Sequence, residues 1–166
     1  MGKIDPVRVL VADDHPIVRE RIIRILRESG EIEVVGEADD GAEATRKALE
    51  TKPDVVVMDL SMPRLSGLEA ARRIRKSLPE TRILVLTMHD EDEYIVRSVR
   101  AGVSGYLLKD EAPSDLLAGI RALKKGKCYF GPSTFQALVR SCRSDSPEKE
   151  PERHTDRDAD SGQRRE

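Results

Sequence analysis

The sequence predicts an α/β protein, a parallel β-sheet carrying helices on both faces. Short runs of Val, Ile and Leu recur five times without alternation, as strands buried on both faces require. After each run, apolar residues fall at three- and four-residue spacing between charged ones, the pattern of an amphipathic helix. Strand then helix, repeated five times, closes most simply as a parallel sheet joined by right-handed crossovers.

Val7-Arg8-Val9-Leu10-Val11-Ala12 is the first strand and ends on Asp13 and Asp14. Past His15, Pro16 suits a first helical turn, and a helix follows to Ser29-Gly30. Its apolar positions Val18, Ile22, Ile25 and Leu26 are interleaved with Arg19, Arg21, Arg24 and Arg27, which read as a solvated face. Ile32 to Gly36 is a short second strand, and Gly41 to Leu49 an Ala-rich helix that ends near Lys52-Pro53. Val55-Val56-Val57-Met58-Asp59 is the central strand; Met62-Pro63 and Ser66-Gly67 interrupt the chain beyond it. Leu65 to Leu78 is helical through Leu68, Ala71, Ile74 and Leu78 and is terminated by Pro79. Arg82 to Thr87 is the fourth strand and ends on a hydroxyl. The acids Asp90 to Glu93 open a helix carrying Ile95, Val96 and Val99, where the helix dipole favours negative charge. After Ala101-Gly102, Gly105 to Lys109 is the fifth strand and ends on an ammonium group. The last main helix starts at Ser114-Asp115 and runs through Leu116, Leu117, Ile120 and Leu123 to Lys125-Gly126. These boundaries divide the chain into a domain over 7–126, a linker segment over 127–144 with a short helix from Ser133 to Arg143, and a polar tail over 145–166. In the tail the sole aliphatic side chain is Ala159, so disorder is expected there.

The 166 residues carry a formal net charge of -2, so the whole chain has no basic footprint for nucleic acid. No apolar run reaches the roughly 18 residues of a membrane span, and Met1 to Pro6 has no signal-peptide core, so a cytoplasmic protein is expected. Cys128 and Cys142 lack metal-type spacing and read as reduced thiols.

Laid side by side, the strand ends bring Asp13, Asp14, Asp59, Thr87 and Lys109 to the carboxyl edge, where a doubly wound sheet opens its crevice. Clustered acids repel by several kcal/mol unless a cation offsets them, which points to a hard divalent ion, best Mg²⁺. An ion, an ammonium and a hydroxyl together suit a phosphoryl group in transfer, with Asp59 as the nucleophile. A lone aspartate at a strand end is commonly only a cap or turn residue; it is the conjunction that argues for function. His15 reads as a solvated residue leading into a helix.

The Asp13-Asp14 pair, Met58-Asp59-Leu60-Ser61-Met62-Pro63 with Gly67, Thr87 and Lys109 resemble the receiver domain of two-component response regulators over roughly Val7 to Lys125. Asp-Asp-His-Pro and Gly-Tyr-Leu-Leu-Lys-Asp are similar to the NarL/FixJ branch, which carries a C-terminal LuxR-type helix-turn-helix. The resemblance implies a flavodoxin-like (βα)5 fold with a five-stranded sheet in the order 2-1-3-4-5. It implies that Asp59 accepts a phosphoryl group, that Asp14 ligates Mg²⁺ (or Mn²⁺) directly with Asp13 more distant, and that the Ser61 backbone carbonyl completes the protein ligands. Lys109 would pair with a phosphoryl oxygen, Thr87 would hydrogen-bond the phosphate, and Tyr106 would switch inward behind it. The expected partner is a sensor histidine kinase docking near Ile17, Val18 and Arg21. Phosphorylation-dependent homodimerisation through the fourth and fifth helices is also implied. The expected behaviour is that of a self-phosphorylating acceptor that loses phosphate slowly, not of a conventional enzyme.

The chain departs from the family pattern in two places. Asp110 follows Lys109 where many receivers have a proline in a cis bond; cis before a non-proline residue costs ~3 kcal/mol, so trans is expected. Met88 follows Thr87 where smaller residues are common, and is expected to narrow access to Asp59. An aspartyl-phosphate hydrolase is disfavoured because Ser61 stands two residues after Asp59, where that chemistry needs a second acid. A phosphate-loop NTPase lacks its Gly-rich loop, and a dinucleotide oxidoreductase would need glycines where Asp13-Asp14 stand. The chain is read as lacking the helix-turn-helix domain of its branch. It would touch DNA only if an output domain exists elsewhere, and a stand-alone receiver working through protein contacts is the alternative.

Overall fold

The computed structural model describes residues 2, 4–111 and 113–144. Six parallel strands form one sheet: β1 (Val7–Ala12), β2 (Ile32–Ala38), β3 (Val55–Met58), β4 (Arg82–Thr87), β5 (Gly105–Leu108) and β6 (Tyr129–Phe130). Their order is β2-β1-β3-β4-β5-β6. The helices are α1 (Pro16–Glu28), α2 (Gly41–Thr51), α3 (Gly67–Ser77), α4 (Asp92–Arg100), α5 (Pro113–Lys124) and α6 (Pro132–Ser144).

Alternation along each strand sends successive side chains to opposite faces, which is why the stretches buried on both faces, Val9 to Ala12, Val55 to Met58 and Ile83 to Leu86, are apolar. In β3, Val55 and Val57 join a core with α1 and α5 that includes Ile22, Leu26, Ile120 and Leu123. Val56 and Met58 join the opposite core, where Ala44, Ala48, Ala70, Ala71 and Ile74 let α2 and α3 approach closely. Strand β3 is fully buried along its length.

The doubly wound order 2-1-3-4-5 is present, but the sheet has a sixth strand instead of stopping at five. Tyr129 and Phe130 pair with Gly105 and Tyr106, continuing an edge that would otherwise expose unpaired backbone groups. A two-residue strand is too short to leave a periodic signal. Gly126, with φ of +79°, makes the turn toward it. The helix expected from Ser133 begins at Pro132, and its buried residues are Thr134 and Ala137, whereas Phe135 is exposed. Strand β2 runs two residues further than its apolar stretch, because β1 pairs with it as far as Ala38. Helix α3 starts at Gly67 and not Leu65, with Ser66 as its cap: the Ser66 hydroxyl accepts from the Glu69 N–H at 3.2 Å. The expected polar tail over 145–166 lies outside the described residues. All described peptide bonds are trans. No helix among the described residues is long and apolar enough to cross a membrane.

Candidate functional site at the carboxyl edge of the sheet

Strands β1, β3 and β5 end together at one edge, with β4 between the last two. Asp13 follows β1, Asp59 follows β3 and Lys109 follows β5, so Asp59 and Lys109 are each one residue past the strand that was expected to contain them. Backbone hydrogen bonds fix all three beyond the strand ends: Asp13 N–H to the Ala38 carbonyl, Asp59 N–H to Ala12 (both 3.0 Å), and Lys109 N–H to Thr87 at 2.9 Å. Helix α3 begins tight against this edge, since a Cβ on Gly67 would lie 2.0 Å from the Asp59 carbonyl oxygen. Any side chain there would push α3 away and move the Asp59 loop.

The Lys109 ammonium bridges the two buried carboxylates, 2.9 Å from Asp59 Oδ2 and 2.8 Å from Asp13 Oδ2. Asp13 and Asp59 are 1% and 3% exposed, so the ion pairs sit largely out of solvent. Burial by itself lowers the Lys109 pKa. The hydrogen bonds and charges of Asp13 and Asp59 outweigh it, and the ammonium titrates above its ordinary range. Asp14 stands at the rim, its buried Oδ1 facing the His15 ring. One oxygen each from Asp13, Asp14 and Asp59, with a His15 ring nitrogen, lie within 4.8 Å of one another. Three carboxylates thus converge while one lysine serves two of them. That surplus of carboxylates over cations suits a divalent cation. A second acidic group, Asp39, Asp40 and Glu43, differs: Asp40 Oδ1 caps α2 by accepting from Glu43 N–H at 2.7 Å, and its Oδ2 takes Arg64 at 3.0 Å.

The Ser61 N–H donates to Asp59 Oδ1 at 3.3 Å, which brings the Ser61 backbone to the pocket. Thr87 is fully buried at the end of β4, and its hydroxyl accepts from the His89 N–H at 3.4 Å. Tyr106 is turned inward and fully buried; its phenol donates to the His89 carbonyl at 2.6 Å, and burial first, then the acids around it, pushes its pKa up. Met88 is mostly exposed and borders a groove with Val18 and Ile22 of α1 and Leu116 of α5.

Two groups were not foreseen. His89 links the Asp59 loop to the start of α4: its Nε2 is 2.5 Å from Ser61 Oγ and its ring stacks on Tyr94 at 4.3 Å. A lone histidine before an acidic run carries no periodic or motif signal. Arg19 is not part of a solvated face, because its guanidinium donates to the Asp13 carbonyl at 2.6 Å and stands 3.5 Å from Glu37. His15 is exposed as expected, yet its Nδ1 is 3.0 Å from Asp14 and 3.3 Å from Asp13. Ile17 and Arg21 are exposed on α1 and Val18 is half-buried.

The family model described as the response regulator receiver domain matches residues 9–121. Among curated proteins, the chain is 44% identical over 135 residues to the transcriptional regulatory protein YxjL of Bacillus subtilis (strain 168), covering 81% of this chain and 62% of that protein. The oxygen regulatory protein NreC of Staphylococcus haemolyticus (strain JCSC1435) is also 44% identical, over 134 residues, with 80% and 62% covered. The chain therefore spans about 62% of the length of these relatives. Among solved structures, a LuxR-family two-component response regulator from Aurantimonas sp. SI85-9A1 superposes with a TM-score of 0.78 at 38% identity, covering 84% of this chain and 99% of that one. The signal receiver domain of the response regulator NarL from Mycobacterium tuberculosis gives 0.72 at 39% identity, with 75% and 100% covered.

Proposed function

Because the chain belongs to the response regulator receiver family, with NarL/LuxR-type relatives, we propose that it is the phosphoryl-accepting switch of a two-component system, with Asp59 as the acceptor. The observation that carries this is Lys109 held at 2.8 and 2.9 Å between Asp13 and Asp59, an ammonium fixed beside a buried carboxylate in a pocket with surplus negative charge.

The donor is a phosphohistidine of a sensor histidine kinase. An Asp59 carboxylate oxygen forms a new P–O bond as the P–N bond of the donor breaks. The histidine leaves as neutral imidazole once its ring nitrogen is protonated, and Asp59 becomes an acyl phosphate. Lys109 is already within hydrogen-bond reach of Asp59, so it can follow a phosphoryl oxygen without rearranging the backbone. The Ser61 N–H on Asp59 Oδ1 holds one carboxylate oxygen and leaves Oδ2 toward Lys109. Asp13, Asp14, Asp59 and the Ser61 carbonyl would hold Mg²⁺, which supplies charge neutralisation between the acids and the incoming phosphoryl oxygens. The Thr87 hydroxyl turns from the His89 N–H toward the phosphate. That motion is coupled to Tyr106 and α4 because His89 carries both the N–H that Thr87 accepts and the carbonyl that Tyr106 holds. Kinase docking on α1 at Ile17, Val18 and Arg21, self-association through α4 and α5, and a transcriptional output like that named for YxjL belong to the same reading.

The test is to incubate the chain with acetyl phosphate and Mg²⁺ and measure intact mass. One phosphoryl adduct is expected, lost in Asp59→Ala and on omission of Mg²⁺. An adduct that persists in Asp59→Ala assigns the acceptor elsewhere.

A further inference from the structure

The pocket just described contains one group that an all-oxygen Mg²⁺ site does not use. We propose that His15 makes it a mixed oxygen–nitrogen site, one that takes first-row transition-metal dications in preference to Mg²⁺ by adding an imidazole ligand. This rests on the reading of Asp13, Asp14 and Asp59 as a divalent-cation site.

His15 is the N-cap residue of α1, where a short side chain would normally accept from a helical N–H. Its side chain makes no such bond. It is turned to the acids, with Nδ1 3.0 Å from Asp14 Oδ1 and 3.3 Å from Asp13 Oδ1. That Asp14 oxygen is buried and faces this ring nitrogen. The ring nitrogen and one oxygen from each aspartate lie within 4.8 Å of one another, close to the spread of ligands around one ion with bonds of roughly 2.1 Å. The stem of His15 is held in place: its N–H donates to Asp13 Oδ1 at 2.9 Å, and Pro16, the next residue, favours the extended backbone that His15 adopts. The ring itself is 64% exposed, so it can turn its lone pair toward an ion without disturbing the core. The acid group at Asp39, Asp40 and Glu43 has no such nitrogen.

The chemistry selects the ion. Carboxylate and water suit Mg²⁺, which gains little from an imidazole, whereas Co²⁺, Ni²⁺ and Zn²⁺ bind it strongly. Mg²⁺ would be held by the carboxylates with the His15 ring off the metal, and a transition ion would draw the ring in.

Co²⁺ is the probe, because its visible d–d bands report the ligand set. Titrations use the full chain in a Cys128→Ser/Cys142→Ser background, since both thiols are exposed and would take cobalt themselves. Each of the parent and His15→Gln proteins is titrated with Co²⁺ and with Mg²⁺, and Mg²⁺ is then used to displace Co²⁺. In His15→Gln, Co²⁺ affinity is expected to fall about tenfold or more while Mg²⁺ affinity changes less than about twofold, with the d–d bands shifting as nitrogen is lost. Equal Co²⁺-to-Mg²⁺ affinity ratios and identical spectra in both proteins overturn the role of His15 and leave the cation pocket standing. Failure of Mg²⁺ to bind the parent overturns the pocket reading itself.

Discussion

Strand β3 has an aspartate just beyond each end, and the two are opposite cases. Asp54, at the amino edge, is fully matched: its Oδ2 accepts from the Arg8 N–H at 2.9 Å and its Oδ1 from Lys124 at 2.8 Å. Burial raises its pKa, but Lys124 and Arg8 more than compensate, and the carboxyl sits below the ordinary range. Asp59, at the carboxyl edge, shares one lysine with Asp13 and has Asp14 beside it. Same residue type, same strand, and the same reading as a cap would have served either one. The difference is the balance of donors to carboxylates. An edge where donors match acids is finished structure, and an edge where acids outnumber cations has room for a charged ligand.

The largest test of that contrast is chemical. In the acetyl phosphate experiment, Asp54→Asn is expected to keep the phosphoryl adduct that Asp59→Ala abolishes, by intact mass. Loss of the adduct in both would mean that the two ends of β3 are not functionally distinct.

A smaller separation is expected in stability. Lys109→Met leaves two buried carboxylates without their cation and should destabilise by about 3 kcal/mol in urea unfolding. Lys124→Met removes a half-exposed partner from Asp54 and should lower stability by less than about 1 kcal/mol. Adding Asp13→Asn to Lys109→Met should recover part of the loss, since the penalty comes from stranded charge. Equal costs for the two lysines would remove the contrast.

The smallest effect is in pH. Lys109 and Tyr106 both have folded pKa values raised above their ordinary ones. A raised pKa means that the folded state keeps a proton that the unfolded chain releases. Their contribution is therefore complete below about pH 10, the ordinary range of both groups, and declines as pH rises toward the folded values. Wild-type stability should fall with pH above that point, and Tyr106→Phe should make the fall shallower.

Much of the site was legible because its residues sit where a pattern ends. A buried apolar run must stop on something, and the residues that end four of the five runs, Asp13 with Asp14, Asp59, Thr87 and Lys109, mark one edge. What was not legible lacked periodicity or depended on a side chain's path. β6 is two residues long, Phe135 is apolar yet exposed while Ala137 beside it is buried, and Arg19 leaves its helical stripe to reach the Asp13 carbonyl. His89 joins Ser61, Tyr94 and Tyr106 through loop geometry that no spacing encodes.

The amino-acid order alone determined the doubly wound α/β frame and the identity of the groups at its carboxyl edge, because a parallel strand buried on both faces is apolar along its length and polar groups gather at its end. The tertiary structure decided the rest: which of two aspartates flanking β3 is left short of donors, that one ammonium spans Asp13 and Asp59, and that His15 leans over Asp14. Those are matters of distance between residues up to 96 positions apart in sequence, Asp13 and Lys109, and electrostatic energy depends on separation in space.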